Sequence, residues 1–429
     1  MAGQIPNLSV ERRRLFALLF GINTLNYADR YTLPAVVPLL AVSVGLSDTQ
    51  LGLLGTAFLL IYAIAALPLG SLADRRSRTR IVGGGVALWS VATALTALCR
   101  SFPQLFAVRA LLGIGEASYF PASNSMLADA FPQARRARVM AWWGAALPLG
   151  VFLGYAAGGL IGQRFGWQAA FLVVGIPGLI LAALVWRTRE PRRGESEGLL
   201  AATVRSEGDP FAFRLLRIPT VSFAIASQVF AYFVLSGLGF WLTTYLVRHY
   251  HLGTGSAGVI AGALFVVGGG IGTVAGGYLA DHLLPRQPAA RLLVPGVGLI
   301  ASGVAIAAGL LAPTLLLFLV IYTLAGALVS LPSAPLSALF QDVVAPAVRA
   351  RVVALSLLLA HLFGDAFSPS LIGAVSDRLG GANGGGLDKA LWLMPVAAII
   401  SGIIALAGCR YVAADRARML GALSLIPLM

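Results

Sequence analysis

"GSLADRRSRTR" (Gly70–Arg80) is a short polar loop between two long apolar stretches, and it has a second copy. In "GGYLADHLLPR" (Gly276–Arg286), Gly277 and Asp281 stand 207 residues after Gly70 and Asp74. Further on, "DAFPQARRARVMA" (Asp129–Ala141) matches "DVVAPAVRARVVA" (Asp342–Ala354). Asp129, Arg136 and Arg138 there align with Asp342, Arg349 and Arg351 at an offset of 213. "GQRFG" (Gly162–Gly166) and "SDRLG" (Ser376–Gly380) form a third match. Matches at near-constant offset read as a duplicated half. Duplicated helical halves mark alternating-access transporters, with the substrate site between them near the membrane midplane.

Composition points the same way. The chain has 429 residues, 58% hydrophobic and 11% charged, with a mean hydropathy of +0.85; a soluble domain is about 25% charged. Apolar runs near or above the roughly 20 residues that cross a bilayer begin near Arg14, Thr49, Thr79, Phe102, Arg136, Trp167, Pro219, Gly255, Arg291, Pro313, Arg349 and Gly386. The expected fold is an all-α membrane protein of twelve transmembrane helices in two pseudo-symmetric six-helix bundles. The bundles are expected at 1–187 and 218–412, with a cytoplasmic linker at 188–217 and a cytoplasmic tail at 413–429. Within the linker, "PFAFRLLR" (Pro210–Arg217) has the pattern of a short surface helix.

The net charge of +14 is explained by topology. With both termini inside, 24 of the 31 basic residues fall on cytoplasmic segments, and only Arg100, Arg164, Arg248, Arg378 and Lys389 fall outside. That is the positive-inside bias, so no nucleic-acid partner is read from the charge. The expected location is the cell's inner membrane, as a monomer among membrane lipids. Cys99 and Cys409 fall at opposite ends of their stretches, about a bilayer apart and too far for a disulfide. The first stretch is too long for a signal peptide. Outer-membrane barrels are excluded because their strands are short and alternating.

Few ionisable residues lie inside the apolar stretches: Asp29 and Arg30 in the first, Arg109 and Glu116 in the fourth, His361 and Asp365 in the eleventh. Intramembrane charges are expensive, face the interior, and mark pathways. Arg109 and Glu116 are seven apart and share a helix face; His361 and Asp365 are four apart and can touch. Asp29 and Arg30 point about 100° apart, so they need not pair with each other. Asp29 and Glu116 are therefore proton-titratable candidates, one of them paired with Arg109, and His361 is a further candidate. An acid releases its proton while an arginine is close, and takes one back when that arginine turns to an anionic ligand.

"G-x-x-x-D-R-x-x-R", here Gly70, Asp74, Arg75 and Arg78, resembles the signature loop of the major facilitator superfamily. Gly70 is expected to let its helix approach a neighbour closely. Asp74 is expected at a helix N-terminus, that of the eleventh helix, as a gate. Three further segments sharpen the resemblance: "NYADRYT" (Asn26–Thr32), "RALLGIGEASY" (Arg109–Tyr119) and "HLFGDAFSP" (His361–Pro369). They resemble the matching segments of the Spinster family, which moves lysophospholipids and sphingoid phosphates. The resemblance implies proton-coupling roles for Asp29, Glu116 and His361. It implies headgroup or substrate contacts for Arg30, Arg109, Asn26, Tyr119 and Asp365.

The expected function is secondary active transport of an amphipathic anion, a lysophospholipid or sphingoid-type lipid, coupled to protons. The alternative is a proton-linked transporter of a small organic anion, sugar acid or drug; a membrane-embedded lipid-modifying enzyme ranks lower. Neither G-x-S-x-G nor H-E-x-x-H occurs, so no catalytic residue is assigned. There is no G-x-x-x-x-G-K-[ST], so nucleotide does not supply the energy. No cofactor or metal is expected. Phe120, Trp142, Trp143, Phe152 and Tyr155 read as packing or lipid-facing residues that could also line an apolar slot. Pro332 and Pro335 fall mid-stretch and suggest a broken or moving helix.

Overall fold

The computed structural model describes residues 5–197, 212–345, 348–382 and 384–424, and among these every regular element is helical. The order begins α1 (Ile5–Leu40), α2 (Asp48–Arg75), α3 (Arg78–Thr96), α4 (Phe102–Ala117), α5 (Tyr119–Ala130), α6 (Gln133–Gly144), α7 (Ala146–Phe165) and α8 (Trp167–Trp186). It continues with α9 (Pro219–His249), α10 (Thr254–Leu283), α11 (Ala290–Leu310), α12 (Leu315–Ser330), α13 (Ser333–Val343), α14 (Arg349–Ala360), α15 (Ser368–Arg378), α16 (Gly386–Ala390) and α17 (Leu393–Ser424).

Among the described residues, nine helical segments are long and apolar enough to cross a membrane. The stretches that carry Asp29, Arg30, Arg109 and Glu116 are not among them. Their polar residues lower the mean hydropathy, and the fourth stretch is interrupted at Ser118 between α4 and α5. The tenth stretch is broken between α12 and α13 at Leu331 and Pro332, where the prolines suggested a break. A π-helical turn, His361–Asp365, separates α14 from α15; such turns recur at functional sites. "PFAFRLLR" gives a 3-10 segment, Ala212–Arg217, while Pro210 lies outside the described residues. The last helix runs on through the expected tail to Ser424, and 425–429 lie outside the described residues.

The chain forms two compact units: Met1–Leu46, Leu53–Ser206 and Leu246–Gly262 make the first; Ser47–Gly52, Glu207–Tyr245 and Ala263–Met429 make the second. In the first unit α1 packs on α7 along a glycine stripe. A Cβ at Gly150 would fall 2.3 Å from the carbonyl oxygen of Thr24, and one at Gly154 would fall 2.4 Å from that of Ala28. Residues four apart share a helix face, so the stripe fixes the rotation of α1 and with it the aim of Asp29 and Arg30. Leu19, Ile22, Trp89, Tyr119, Met126 and Trp143 fill the core of this unit. The second unit is built around Val221, Leu292, Leu336, Phe340 and Val352.

Candidate functional site

The first unit brings four of the sequence-predicted charges together. Arg30 of α1 donates from Nη2 to Oε2 of Glu116 on α4 at 2.8 Å. Its guanidinium carbon lies 4.9 Å from the ring centroids of both Phe58 and Tyr62, and 5.5 Å from that of Tyr27. Cations over aromatic faces are attracted by the ring quadrupole, so three rings and one carboxylate hold this guanidinium. Arg109 of α4 places its own guanidinium carbon 5.1 Å from the Phe58 centroid. One ring is thus shared by two cations. Asp29 accepts a hydrogen bond from the Thr93 hydroxyl of α3. Asn26 is near enough to Glu116 to act on its charge.

Burial separates the roles of the two arginines. Asp29, Glu116 and Arg109 are at most 2% exposed, whereas the Arg30 side chain is 20% exposed. Nε and Nη1 of Arg109 are buried and have no hydrogen-bond partner among the described residues. Asp29, Glu116 and Arg30 all act on the Arg109 charge. One of Asp29 and Glu116 is expected beside Arg109: Glu116 bonds Arg30 instead, and Asp29 is the acid that acts most on the Arg109 charge. A helical wheel puts Arg109 and Glu116 on one face, but it cannot show that α1 delivers a nearer cation.

Tyr119 corrects a second expectation. Its ring is 1% exposed, and its hydroxyl donates to the Leu19 carbonyl at 2.6 Å, beside the Trp143 indole nitrogen at 3.3 Å. That geometry pins α5 to α1 and leaves no hydroxyl for a substrate. Of the aromatic residues, Trp143 and Tyr155 are buried while Phe120 and Trp142 are exposed. In the second unit His361 and Asp365 touch, as their spacing allows, Nδ1 to Oδ2 at 2.7 Å. The Tyr232 ring packs on the imidazole edge, centroids 5.2 Å apart.

The residues of the signature loop sit in different surroundings. A Cβ at Gly70 would meet nothing within 4 Å, so no close approach requires a glycine there. The Asp74 side chain lies outside the described residues. Arg75 is exposed. Arg78 is 2% exposed and holds the loop after α8: it bonds Glu190 at 3.0 Å, the Pro191 carbonyl at 2.7 Å, Ser125 at 2.8 Å, and Asp129. In the second unit Arg291, 213 residues later, bonds Asp281 at 3.0 Å and Asp342 at 2.5 Å. The repeat therefore includes an arginine that binds two acids, and the offset of 213 already seen for Asp129 and Asp342 was the available signal for it.

Glu190 supplies a pH test. Burial opposes its ionisation, yet hydrogen bonds from Ser77 and Arg78 and the Arg78 charge together hold its carboxyl below the ordinary carboxylate value. A depressed folded value stabilises the fold above the unfolded value and is lost as pH falls through the folded one. Glu190→Gln is expected to destabilise the protein at neutral pH by about 1–3 kcal/mol. The gap from wild type should narrow below about pH 4, read as melting temperature against pH. A gap that stays constant across that range would sink this assignment.

Two residues without a sequence-based role cap helix starts. Asp377, at the end of α15, accepts from the Asp48 amide at 3.0 Å, the Thr49 amide at 2.8 Å and the Thr49 hydroxyl at 2.5 Å. Ser376 donates to Asp48 at 2.6 Å. In the first unit Gln163 accepts from the Gly255 amide at 2.6 Å, at the start of α10. Gln163 and Asp377 occupy matched positions of "GQRFG" and "SDRLG". Asp377→Ala is expected to destabilise by about 1–2 kcal/mol, the value of a lost N-cap, and Asp377→Asn to recover most of it in a thermal melt. Equal melting of the two variants would contradict the capping role.

A profile of the Major Facilitator Superfamily matches residues 19–369. Protein spinster of Drosophila melanogaster is 30% identical over 392 residues; the match takes in 86% of this chain and 63% of that protein, less than two thirds of its length. Protein spinster homolog 1 of Homo sapiens is 32% identical over 88% of this chain and 75% of that one. Protein spinster homolog 3 of Danio rerio is 31% identical over 95% and 87%. A crystal structure of a bacterial homolog to the human lysosomal transporter Spinster, inward-facing and unoccupied, matches with a TM-score of 0.81 at 26% identity, covering 96% of this chain and 98% of that one. A nucleoside transporter structure at 13% identity and a TM-score of 0.72 shares the fold alone. Charge cluster, duplicated arginine–acid ties and relatives agree: the chain is an integral membrane protein that belongs to the Major Facilitator Superfamily and, within it, to the Spinster family.

Proposed function

We propose that this chain, a transporter by family, carries a single-chain anionic lipid of the lysophospholipid or sphingoid-phosphate type by alternating access coupled to protons. The observation that carries the reading is Arg109: a buried guanidinium with two nitrogens that have no hydrogen-bond partner among the described residues, about two helical turns before Glu116 of the Arg30–Glu116 pair. Guanidinium groups match phosphate oxygens with a planar fork of donors. A phosphate headgroup entering here satisfies Arg109 and competes with Glu116 for Arg30. Glu116, once released, takes up a proton, and the return of Arg30 expels it. Asp29 is the second acid in the cluster able to carry one. In this reading both termini lie in the cytoplasm and the chain in the inner membrane; the distribution of basic residues supports it.

The test is thermal stabilisation of the purified protein by a panel: lysophosphatidic acid, lysophosphatidylglycerol, sphingosine phosphate, gluconate and a neutral monoacylglycerol. The phosphate-bearing lipids are expected to raise the melting temperature, and the neutral lipid is not. Stabilisation by gluconate alone would replace the lipid reading with a small organic anion.

A further inference from the structure

Away from the charge cluster, the first unit has a cleft of about 300 Å³ where α1 begins and α8 ends. Arg12, Arg14, Arg187 and Arg189 line it, with Glu11 and Glu195. Both acids are already engaged. Glu11 pairs with Arg189 at 3.4 Å, and Glu195 accepts from the Arg192 amide at 2.8 Å. No ion pair or side-chain hydrogen bond engages Arg12, Arg14 or Arg187 among the described residues, and the Arg12 Nε is buried without a partner. Three unpaired guanidiniums around one cleft repel each other. An anion that accepts from several of them removes that repulsion.

The surroundings specify the kind of anion. Buried Leu15 and Pro191 give the cleft an apolar wall. Leu184 and Trp186, exposed on the last turn of α8 just before Arg187, are 49% and 55% exposed. A tryptophan at a helix end marks the level of the lipid headgroups, so the cleft opens where a headgroup lies and its acyl chains can pass down α8. We propose that this cleft binds the phosphate of an anionic phospholipid of the leaflet facing the basic side, apart from the transport site. Basic pockets between helices on that side are suited to such headgroups. The occupant fastens the loop after α8 to the start of α1, and that loop carries Glu190 to its bonds with Arg78.

The experiment titrates the purified full chain in neutral detergent with dioctanoyl phosphatidylglycerol, dioctanoyl phosphatidylcholine or inorganic phosphate, reading melting temperature. Phosphatidylglycerol is expected to saturate, with phosphatidylcholine and phosphate about tenfold weaker or more. Arg12→Gln/Arg14→Gln is expected to weaken phosphatidylglycerol about 25-fold, near fivefold per basic residue. Arg187→Gln, at an exposed position, serves where the double variant does not fold, with about a fivefold loss. Arg135→Gln/Arg138→Gln removes the same charge outside the cleft and is expected to leave the affinity unchanged. Arg109→Ala is expected to leave it unchanged as well, which separates this cleft from the proposed transport site. Equal weakening by the control pair, loss on Arg109→Ala, or inorganic phosphate protecting as well as the lipid would each overturn the proposal.

Discussion

Arg109→Ala is expected to abolish stabilisation of the protein by phosphate-bearing lysolipids. Two nitrogens of Arg109 with no hydrogen-bond partner among the described residues are buried beside Phe58, so a headgroup bonding them forms charge-assisted bonds in a region with little water. Removing one partner of such a bond costs about 2–5 kcal/mol of binding, or roughly 30- to 5,000-fold in affinity. Part of any change will be structural, because Asp29 and Glu116 lose a cation that acts on both. Arg109→Lys separates these effects. It keeps the charge for the acids but loses the planar fork, so the unliganded melting temperature should recover while ligand stabilisation stays weak. Full recovery of both by lysine would mean that Arg109 supplies charge and no headgroup geometry.

The second large effect concerns Asp29. Asparagine has the same shape and can still accept from Thr93, the bond Asp29 makes now, but it cannot carry a proton. In proteoliposomes, one unit of pH gradient supports about tenfold accumulation per coupled proton, because one unit is about 1.4 kcal/mol. Asp29→Asn is expected to reduce that accumulation to the equilibrium level if Asp29 carries the proton, while counterflow at zero gradient stays within about twofold, less than 0.5 kcal/mol. Equal loss of both would make Asp29 a shaping residue. Glu116→Gln is the parallel variant, and the variant that loses accumulation alone identifies the carrier.

Much of the frame was readable without coordinates. Duplicated loops, apolar stretches and a handful of intramembrane charges are local properties, and each follows from what hydrocarbon tolerates. The His361–Asp365 contact was also local, four residues apart on one helix. What escaped reading depends on which helix lies beside which. Arg30 and Glu116 are 86 residues apart, and their bond exists because α1 is set against α7 by glycines at 150 and 154. The same packing turned the Tyr119 hydroxyl toward Leu19, which spacing along α5 does not reveal. The Glu190–Arg78 bond joins residues 112 apart and reaches into a polar segment that composition shows only as a linker. Asp377 had a repeat partner in plain view at Gln163, but a capping role appears only when the capped amides of Asp48 and Thr49 are brought to it.

The most direct measurement uses sealed proteoliposomes holding a pH-sensitive dye, with no imposed gradient, to which a lysophospholipid is added on one side. If buried acids near Arg30 and Arg109 exchange protons as an anionic headgroup comes and goes, lipid addition moves protons across the wild-type membrane, and Glu116→Gln combined with Asp29→Asn stops it. Lipid movement with no change in the dye, or the same proton flux in the double variant, contradicts the account.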